Sequence, residues 1–370
     1  MRGFRNVSAK RSVSASAPNA LLGAVRRLSG GEAPDSDELT AAFNIILAGD
    51  ATPVQIAALL IGLRVKGETP SELAAVVRAF QQAMVVLPAE HPDELVDTCG
   101  TGGGTINTFN ISTAAALLVA GNGVRVAKHG NRSFTTQCGS ADVLEALGVA
   151  IDAPVNVMAA ALRDAGIVFM FAPLMHPAMR HVAPVRRELG VQTVMNMVGP
   201  LANPAHAGRQ VVGVSDPRRQ RLIAGALHEL GKIHVLVVHG AGMDEISPFG
   251  PTEVVEIRHG RMVEWTIDPT RYGIKGGSVE AIAGGSPSEN AAVVLRTLRG
   301  EANSVCTAAV ILNAAAAFYV AGAVSSFDEG IDAARDAINA RSGLVALDRL
   351  RTAFDREPGL SNAASLDSAG

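Results

Sequence analysis

Apolar residues recur at the spacing of an α-helix near the amino-terminal end of the chain. Ile56, Leu59, Leu60 and Leu63 stand at positions i, i+3, i+4 and i+7, which places them on one face of a helix. The same periodicity continues through residues 20–88. We therefore expect this part of the chain to form a small domain of about four helices.

Two capping boxes mark the starts of helices in this region. In TPVQ at 52–55 and TPSE at 69–72, a threonine caps the helix and a proline occupies its first turn, while Gln55 or Glu72 reaches back to the threonine backbone. Gly67 lies between the boxes and is typical of a residue that ends a helix. The spacing predicts one helix that ends at Gly67 and another that begins just after it.

After Pro92 the pattern changes to short apolar runs that alternate with helical segments. The runs predicted to be strands are ELVDTCG (94–100), VRVAKHG (124–130), VQTVMNMVG (191–199), RQVVGVS (209–215), KIHVLVVHG (232–240) and TEVVEIRHG (252–260). Such alternation is typical of a mostly parallel sheet covered by helices, whose ligands gather at the carboxyl ends of the strands. The predicted fold class is therefore α/β: a small all-helical domain plus a larger α/β domain with a mostly parallel central sheet.

These patterns divide the chain into four parts. We expect a disordered extension over 1–19, a helical domain over 20–90, an α/β domain over 91–355 and a disordered tail over 356–370. The first twenty residues carry four basic side chains, no acidic one and many serines. That composition is shared by organelle transit peptides, disordered extensions and wrongly assigned starts, and the three readings stay open.

One long apolar run could be mistaken for a membrane span. Residues 303–327 carry no charge, but the run is rich in alanine, contains Asn313 and has Gly322 as a stop signal. A membrane span needs about 20 strongly apolar residues. We therefore expect a helix buried in the protein core and no membrane partner.

Composition narrows the classes of partner and location. The net charge is −3 and aromatic residues make up 4% of the chain, so neither a nucleic-acid partner nor a stacking platform for bases is expected. Cys99, Cys138 and Cys306 are odd in number and form no C-x-x-C motif, so neither a disulfide framework nor a zinc site is expected. This cysteine usage favours the reducing cytoplasm.

The stretch CGTGGGTINTFNIST at 99–113 contains the strongest chemical signal. A predicted strand runs into the glycines, and a helix is expected to start between Asn110 and Thr113. Exposed backbone N–H groups and a helix amino terminus together bind anions, most often phosphate. The stretch lacks G-K-[ST] and has no glycine at 105, so it is neither a Walker A loop nor a dinucleotide fingerprint. A plain tight turn is the alternative.

Two further loops follow predicted strands and carry charge. KHGNRS presents Lys128, Asn131 and Arg132, which together suit a phosphate group. GMDEIS presents Asp244 and Glu245, and adjacent carboxylates of this kind hold Mg²⁺ together with water and substrate phosphates. Each charge alone is more typical of a solvated surface, so the prediction depends on the loops occurring together.

Two more segments complete the set of candidates. The segment 176–190 is predicted to be a helix that carries His176, Arg180, Arg186 and Arg187, and an arginine can clamp a carboxylate with two hydrogen bonds. The segment 195–204 is predicted to be a strand followed by a tight loop at Gly199 and Pro200, where the backbone can approach a ligand.

Together these motifs resemble one known family. GTGG…TFNIST, KHGNRS, GSADVLEALG, HPAM…VRRELG, GPLANP and MDEIS are similar, in order, to the motifs of anthranilate phosphoribosyltransferases of tryptophan biosynthesis, over about residues 20–355. The resemblance implies transfer of a phosphoribosyl group from phosphoribosyl pyrophosphate (PRPP) to anthranilate. It also implies Mg²⁺ at two ions per subunit, a homodimer through the helical domain with helices from about 177–198 joining that domain, and a functional link to anthranilate synthase.

The resemblance also implies a role for each matching residue. The residues expected to contact PRPP are Gly100, Thr101, Gly102, Gly103, Asn110, Ser112, Thr113 and Lys128. Those expected to contact anthranilate are Gly100, Asn131, His176, Arg186 and Gly199, with Arg187 as the alternative to Arg186. Magnesium is expected on Ser112, Asp244 and Glu245. The residues expected to act in catalysis between the two substrates are Lys128, His129 and Arg132.

The chain departs from the family pattern at a few positions. Gly104 stands where the family commonly has an aspartate that contacts PRPP. TTQC at 135–138 replaces a serine-rich stretch, and Met195 and Ala202 replace a phenylalanine and a threonine near GPLANP. The change at Gly104 is expected to alter the affinity for PRPP rather than the reaction, because the expected metal ligands and cations are present.

Two other functions are weighed against this one. Pyrimidine nucleoside phosphorylases share the fold and use inorganic phosphate and a nucleoside, but their basic loop differs from KHGNRS. A non-catalytic paralogue that binds nucleic acid would be basic, with a salt-dependent affinity. The net charge of −3 and the Asp244–Glu245 pair oppose that second alternative.

Overall fold

The computed structural model describes residues 17–104, 106–133 and 137–355. The expected disordered tail at 356–370 and most of the expected extension at 1–19 lie outside these residues. The first helix already begins at Ala17, three residues before the expected start of the helical domain.

Four helices form the amino-terminal region, as the periodicity predicted: α1 (Ala17–Ser29), α2 (Ser36–Ala48), α3 (Pro53–Lys66) and α4 (Pro70–Ala83). Both capping boxes are present. The Gln55 N–H donates to Thr52 Oγ1 over 3.3 Å, and the Thr52 N–H donates to Gln55 Oε1 over 2.9 Å. Gly67 ends α3 with φ 89°, as predicted from the sequence.

A seven-stranded sheet with the order β3-β2-β1-β4-β5-β6-β7 forms the centre of the rest of the chain. The first five strands of that order are parallel, and β6 and β7 are antiparallel. The strands are β1 (Val96–Gly100), β2 (Val126–Gly130), β3 (Ile167–Phe171), β4 (Arg209–Gly213), β5 (His234–Gly240), β6 (Thr252–Arg258) and β7 (Arg261–Ile267). The predicted α/β class is confirmed, while β3 and β7 were not predicted.

Helices cover both faces of this sheet. They are α5 (Ile111–Ala120), α6 (Ser140–Ala146), α7 (Val155–Ala165), α8 (Ala172–Met175), α9 (Ala183–Leu189), α10 (Met195–Leu201), α11 (Gln220–Glu229), α12 (Pro287–Arg299), α13 (Ser304–Ala321), α14 (Phe327–Asn339) and α15 (Ser342–Asp355). Helix α5 begins where the sequence predicted a helix after the glycine loop. Short 3₁₀ segments occur at Pro92–Glu94, Pro177–His181, Pro217–Arg219, Pro269–Tyr272 and Val279–Ile282.

The predicted strand at 191–199 is wrong. This segment runs into helix α10, and Val194, Met197, Val198 and Leu201 are buried against the amino-terminal helices. These positions are i, i+3, i+4 and i+7 of a helix, but a short and nearly continuous apolar run fits a buried strand equally well by periodicity. The single helix predicted at 176–190 is divided into the 3₁₀ segment Pro177–His181 and α9.

Two hydrophobic cores lie on opposite faces of the sheet. One core packs α5, α13, α14 and α15 against β1 to β3, and the other packs α1 to α4, α10 and α11 against β4 and β5. In β5, Leu236 faces the first core and Val237 the second, as the alternation of side chains along a strand requires. The amino-terminal helices therefore share a core with one face of the sheet.

Helix α13 is the long apolar run noted in the sequence. Among the described residues it is the one helix long and apolar enough to cross a membrane. Most of its side chains are buried between the sheet and the outer helices, Asn303 caps its start, and Gly322 ends it with φ 74°. The expectation of a core helix is confirmed.

Candidate functional site

The candidate residues meet at the carboxyl ends of β1, β2, β4 and β5. Strands β1 and β4 pair in register from Val96–Arg209 to Gly100–Gly213, so both end at the same level of the sheet. The loop after β5 folds back over these two ends. A Cβ atom at Gly100 would overlap the Asp244 carboxylate, and one at Gly213 would overlap the Asp244 backbone. Glycine at both strand ends therefore permits the acidic loop to approach.

The glycine loop is fixed to its neighbours by hydrogen bonds. The Thr101 N–H donates to Gly213 O over 2.9 Å, and the Gly102 N–H donates to Asp244 Oδ2 over 2.8 Å. The Ser215 hydroxyl donates to Gly102 O over 2.9 Å. The loop and the acidic pair thus form one hydrogen-bonded unit, although they are far apart in the sequence.

Asn110 lies just before α5, but its side chain does not cap that helix. Its Oδ1 accepts a hydrogen bond from Asn290 Nδ2 over 3.0 Å, and its Nδ2 donates to Cys138 O over 3.4 Å. Asn290 is almost fully buried on α12 and was not predicted from the sequence. Asn110 therefore connects the helix start to two other segments of the site.

Asp244 and Glu245 are partly buried against the glycine loop and α5. Glu245 Oε1 accepts a hydrogen bond from the Ser112 N–H over 3.2 Å. Burial, and then the neighbouring Asp244 charge, raise the pKa of Glu245, and burial raises the pKa of Asp244. Two carboxylates held close together with little solvent favour a bound cation.

Lys128 and His129 are adjacent in β2 and lie on opposite faces of the sheet, because side chains alternate along a strand. Lys128 is buried on the α5 face, where its ammonium donates to Thr98 O and lies 3.4 Å from Ser112 Oγ. Burial lowers the pKa of Lys128, while the nearby Asp97 raises it in part. The cation therefore lies beside the glycine loop and the acidic pair.

His129 lies on the other face, where α10 and the segment after β3 meet. Its Nδ1 lies 3.1 Å from Gly199 O, and its ring centroid is 5.0 Å from that of His176. Burial lowers the pKa of His129 to about 3 and the pKa of His176 to about 4. Both rings are therefore neutral at pH 7, and His129 Nε2 has no hydrogen-bond partner among the described residues.

The two candidate arginines on α9 differ in their environment. Arg186 is partly buried, and burial lowers the pKa of its guanidinium. Within the described part of the chain, no carboxylate pairs with that guanidinium. Arg187 is exposed. Arg186 is thus the arginine of the two that is directed toward the protein interior.

Arg132 is placed differently from the other predicted catalytic residues. Its guanidinium pairs with Asp142 over 2.7 Å and with Glu145, and it lies 5.7 Å from the ring centroid of Phe171. Asn131 accepts a hydrogen bond from the Arg132 N–H over 2.8 Å. The basic loop is therefore attached to α6 through the Arg132 guanidinium.

Thr113 is a buried residue of α5. Its side chain is 1% exposed, and its hydroxyl has no hydrogen-bond partner among the described residues. It lines a small cavity with Lys128, Leu117, Leu144 and Phe169. Its neighbour Ser112 is the hydroxyl residue that faces Lys128 and Glu245.

Asp97 and Asn203 are buried residues that were not predicted from the sequence, and they hold the end of β2 in place. Asp97 accepts hydrogen bonds from the His129 N–H over 3.2 Å and from Asn203 Nδ2 over 2.8 Å. Asn203 also donates to Ala127 O over 2.9 Å and accepts from the Ala205 N–H over 2.9 Å. Asp97 lies in the predicted strand ELVDTCG. A charged residue within a predicted buried strand is the feature of the sequence that could have identified it.

The predicted metal ligands suit magnesium by their chemistry. Asp244 and Glu245 provide carboxylate oxygens next to the Ser112 hydroxyl, and Mg²⁺ takes such oxygens together with water and substrate phosphates. Within the described residues, no cluster of three or more His, Cys, Asp or Glu side chains could hold a metal ion without other ligands. The two carboxylates and the hydroxyl are the kind of oxygen donors that Mg²⁺ takes.

Comparisons with family models agree with this architecture. Residues 23–84 match the helical bundle domain of a glycosyl transferase family, and residues 92–343 match the a/b domain of that family. A curated anthranilate phosphoribosyltransferase from Thermomicrobium roseum is 46% identical over 336 residues, which covers 90% of this chain and 96% of that protein. One from Methanosarcina acetivorans is 47% identical over 327 residues, 88% of each chain.

Solved structures give the same result. Anthranilate phosphoribosyltransferase from Thermus thermophilus superposes with a TM-score of 0.85 at 43% identity, covering 90% of this chain and 99% of that one. The enzyme from Saccharomyces cerevisiae, solved in complex with PRPP and Mg, superposes with a TM-score of 0.83 at 26% identity, covering 92% of this chain and 99% of that one. From sequence and structure together, this chain belongs to the anthranilate phosphoribosyltransferase family.

Proposed function

We propose that this protein transfers the 5-phosphoribosyl group from PRPP to anthranilate. The products are N-(5′-phosphoribosyl)anthranilate and pyrophosphate, and the reaction is the second step of tryptophan biosynthesis from chorismate. The observation that carries the proposal is the hydrogen-bonded unit of glycine loop and acidic pair, with Lys128 beside it. This unit offers backbone donors and a cation to a diphosphate, and carboxylates to the Mg²⁺ that would bind with it.

The α5 face of the sheet provides the PRPP half of the proposed site. The glycine loop would bind phosphate oxygens through its N–H groups, and the Lys128 ammonium would lie against the leaving diphosphate. Asp244, Glu245 and the Ser112 hydroxyl would hold Mg²⁺, and we propose two ions per subunit. The bound metal would neutralise charge on the leaving pyrophosphate.

The opposite face provides the anthranilate half. Arg186 is proposed to bind the anthranilate carboxylate, with His176, Gly199, Gly100 and Asn131 around the ring. The attacking aniline nitrogen is neutral at pH 7, so it needs no strong base before it attacks the sugar carbon. The low pKa values of His129 and His176 agree with this, because both rings are poor bases.

Catalysis would then result mainly from positioning and electrostatics. The carbon–oxygen bond to pyrophosphate breaks as the new carbon–nitrogen bond forms, and the amine then passes one proton to solvent water. Lys128 lies in the PRPP half, beside Ser112, and is proposed to stabilise the leaving group. In the described conformation Arg132 is paired with α6, so a direct role would require its release from Asp142 and Glu145.

We propose that the protein is located in the cytoplasm and has a functional link to anthranilate synthase. We also propose that the boundary between its two domains lies between residues 90 and 91. The support for the cytoplasmic location is the cysteine usage of the sequence, which has three cysteines and no C-x-x-C motif.

We also propose a homodimer through the helical domain. Val54 and Val65 of α3 are 78% and 80% exposed, and Ala58 and Ile61 lie between them at helical spacing. These four residues form an outward apolar stripe on a helix whose other face is buried. A stripe of this kind supports contact with a second copy of the chain.

Purified protein should consume anthranilate when PRPP and Mg²⁺ are both present. The measurement is the loss of anthranilate fluorescence, with EDTA and the omission of PRPP as controls. Folded protein that gives no turnover at millimolar PRPP and Mg²⁺ would falsify the proposal. Turnover of thymidine with inorganic phosphate would instead indicate a nucleoside phosphorylase.

Arg186→Ala should raise the anthranilate KM far more than the PRPP KM. Loss of a charged hydrogen-bonded pair costs about 1.5–3 kcal/mol, or roughly 10- to 150-fold in apparent affinity. Arg187→Ala is the matched control, because Arg187 is the exposed neighbour on the same helix. Steady-state kinetics in both substrates decide the assignment, which is incorrect if Arg187→Ala has the larger effect or if both KM values rise equally.

Gly104→Asp should fold normally and change the PRPP KM or its Mg²⁺ dependence, leaving the anthranilate KM unchanged. Gly104 lies outside the left-handed region, and a Cβ there would be 3.4 Å from Gly242 O and 3.7 Å from Asp244 Oδ1. Aspartate therefore fits and adds a carboxylate beside the acidic pair. Gly104→Asn is the uncharged control of the same size. A lowered Tm with unaltered PRPP and Mg²⁺ kinetics would mean that position 104 serves the backbone alone.

A Val54→Glu/Val65→Glu double variant should behave as a monomer at concentrations at which the unmodified protein is a dimer. The reason is that two charges in the apolar stripe would have to lose their hydration on association. Light scattering after size-exclusion chromatography gives the mass. Val263→Glu on β7 is the control, because Val263 is 51% exposed and outside the helical domain. A double variant with the mass of a dimer would contradict this interface.

A further inference from the structure

Asn313 is a buried amide in an otherwise apolar part of α13. Its side chain is 3% exposed, and the neighbouring positions of the helix are mostly alanine, valine and leucine. An amide in such an environment must be hydrogen-bonded, because an unpaired polar group is costly to bury. Its hydrogen-bond partners therefore indicate what this residue does.

The amide is bonded mainly to one distant residue. Asn313 Oδ1 accepts from the Ile246 N–H over 3.0 Å, and Asn313 Nδ2 donates to Ile246 O over 3.0 Å. Nδ2 also donates to Ala309 O over 2.9 Å, which fixes the amide to its own helix. The two bonds to Ile246 resemble the exchange of N–H and C=O bonds between antiparallel strands and define both the position and the orientation of that residue.

Ile246 directly follows the acidic pair. Ile246 is fully buried, so its backbone N–H and C=O groups need hydrogen-bond partners within the protein. Asp244 and Glu245 are fixed on their other side by the Gly102 and Ser112 N–H groups. Glu245 and Asn313 also line one small cavity together with Thr98 and Ser112. The amide thus supports the acidic pair from behind, opposite the glycine loop.

We propose that Asn313 is a positioning residue for the Asp244–Glu245 pair and thereby sets the affinity for the divalent cation that binds with PRPP. The inference rests on the proposed function, since it assigns the cation to that pair. Groups behind metal ligands orient them, and their loss costs about 10- to 100-fold in metal affinity.

The test compares Asn313→Leu with Val310→Ala. Leucine keeps nearly the same volume and removes all three hydrogen bonds, while Val310→Ala removes buried atoms of α13 that cannot form hydrogen bonds. Asn313→Leu is expected to weaken Mn²⁺ binding in the presence of PRPP, measured by electron paramagnetic resonance without anthranilate, by about 10- to 100-fold. The Mg²⁺ concentration for half-maximal activity should rise in parallel while the anthranilate KM stays constant, and Val310→Ala should change neither.

Hydrogen exchange of the unmodified protein provides a second measurement that needs no substrate or metal. The Ile246 amide should exchange as slowly as the amides of α13, and it should become fast in Asn313→Leu. Unaltered Mn²⁺ binding in a folded Asn313→Leu protein, or rapid exchange at Ile246 in the unmodified protein, would overturn the inference. If the leucine variant does not fold, the exchange rate in the unmodified protein still decides it. Absence of transferase activity in the unmodified protein, with Ile246 protected, would instead count against the proposed function.

Discussion

The close approach of one loop to two strand ends determines the geometry of the site. The acidic segment after β5 lies directly on the ends of β1 and β4, at Gly100 and Gly213, where any side chain would displace it. That contact brings carboxylates within hydrogen-bond distance of the glycine loop and of α5. The glycine loop and the proposed metal ligands therefore hold each other in place, and each depends on the other for its geometry.

The pleat of β2 divides the site into two chemical environments. Lys128 points to the face of the sheet with α5, where charge and hydroxyl groups gather. His129, one residue later, points to the face with α10, where neutral imidazoles and Gly199 line the site. The first environment suits the proposed diphosphate, and the second suits the proposed aromatic acid. Two adjacent residues of one strand, Lys128 and His129, therefore face the two halves of the proposed site.

The electrostatics of the site depend on partners that are buried with it. Burial alone would favour the neutral forms of Lys128, Asp97 and Glu245. Opposite charges across β1 and β2 reduce that cost, and backbone N–H groups or Asn203 satisfy the carboxylate oxygens. Such a network keeps charged groups in defined positions, which favours electrostatic stabilisation of a charged leaving group.

Local signals in the sequence determined the helical domain, five of the strands and the loops at their ends. Capping boxes, helix-ending glycines and alternating segments act over a few residues, so they can be read directly from the chain. Strand β3 was not predicted, because it is a short buried run between two helical segments. The strand predicted at 191–199 was wrong because burial of α10 against the amino-terminal helices decides between two structures that the apolar run fits equally.

Tertiary structure alone shows which further residues complete the site. The sequence showed Asn313 as an interruption in an apolar run, and Asp97 as a charge in a strand. Their partners are 67 and 106 residues away at Ile246 and Asn203. Likewise, the sequence placed Arg186 and Arg187 on one helix, and packing left one partly buried and the other exposed. Long-range contacts of this kind follow from how strands and helices pack, and no local pattern in the sequence encodes them.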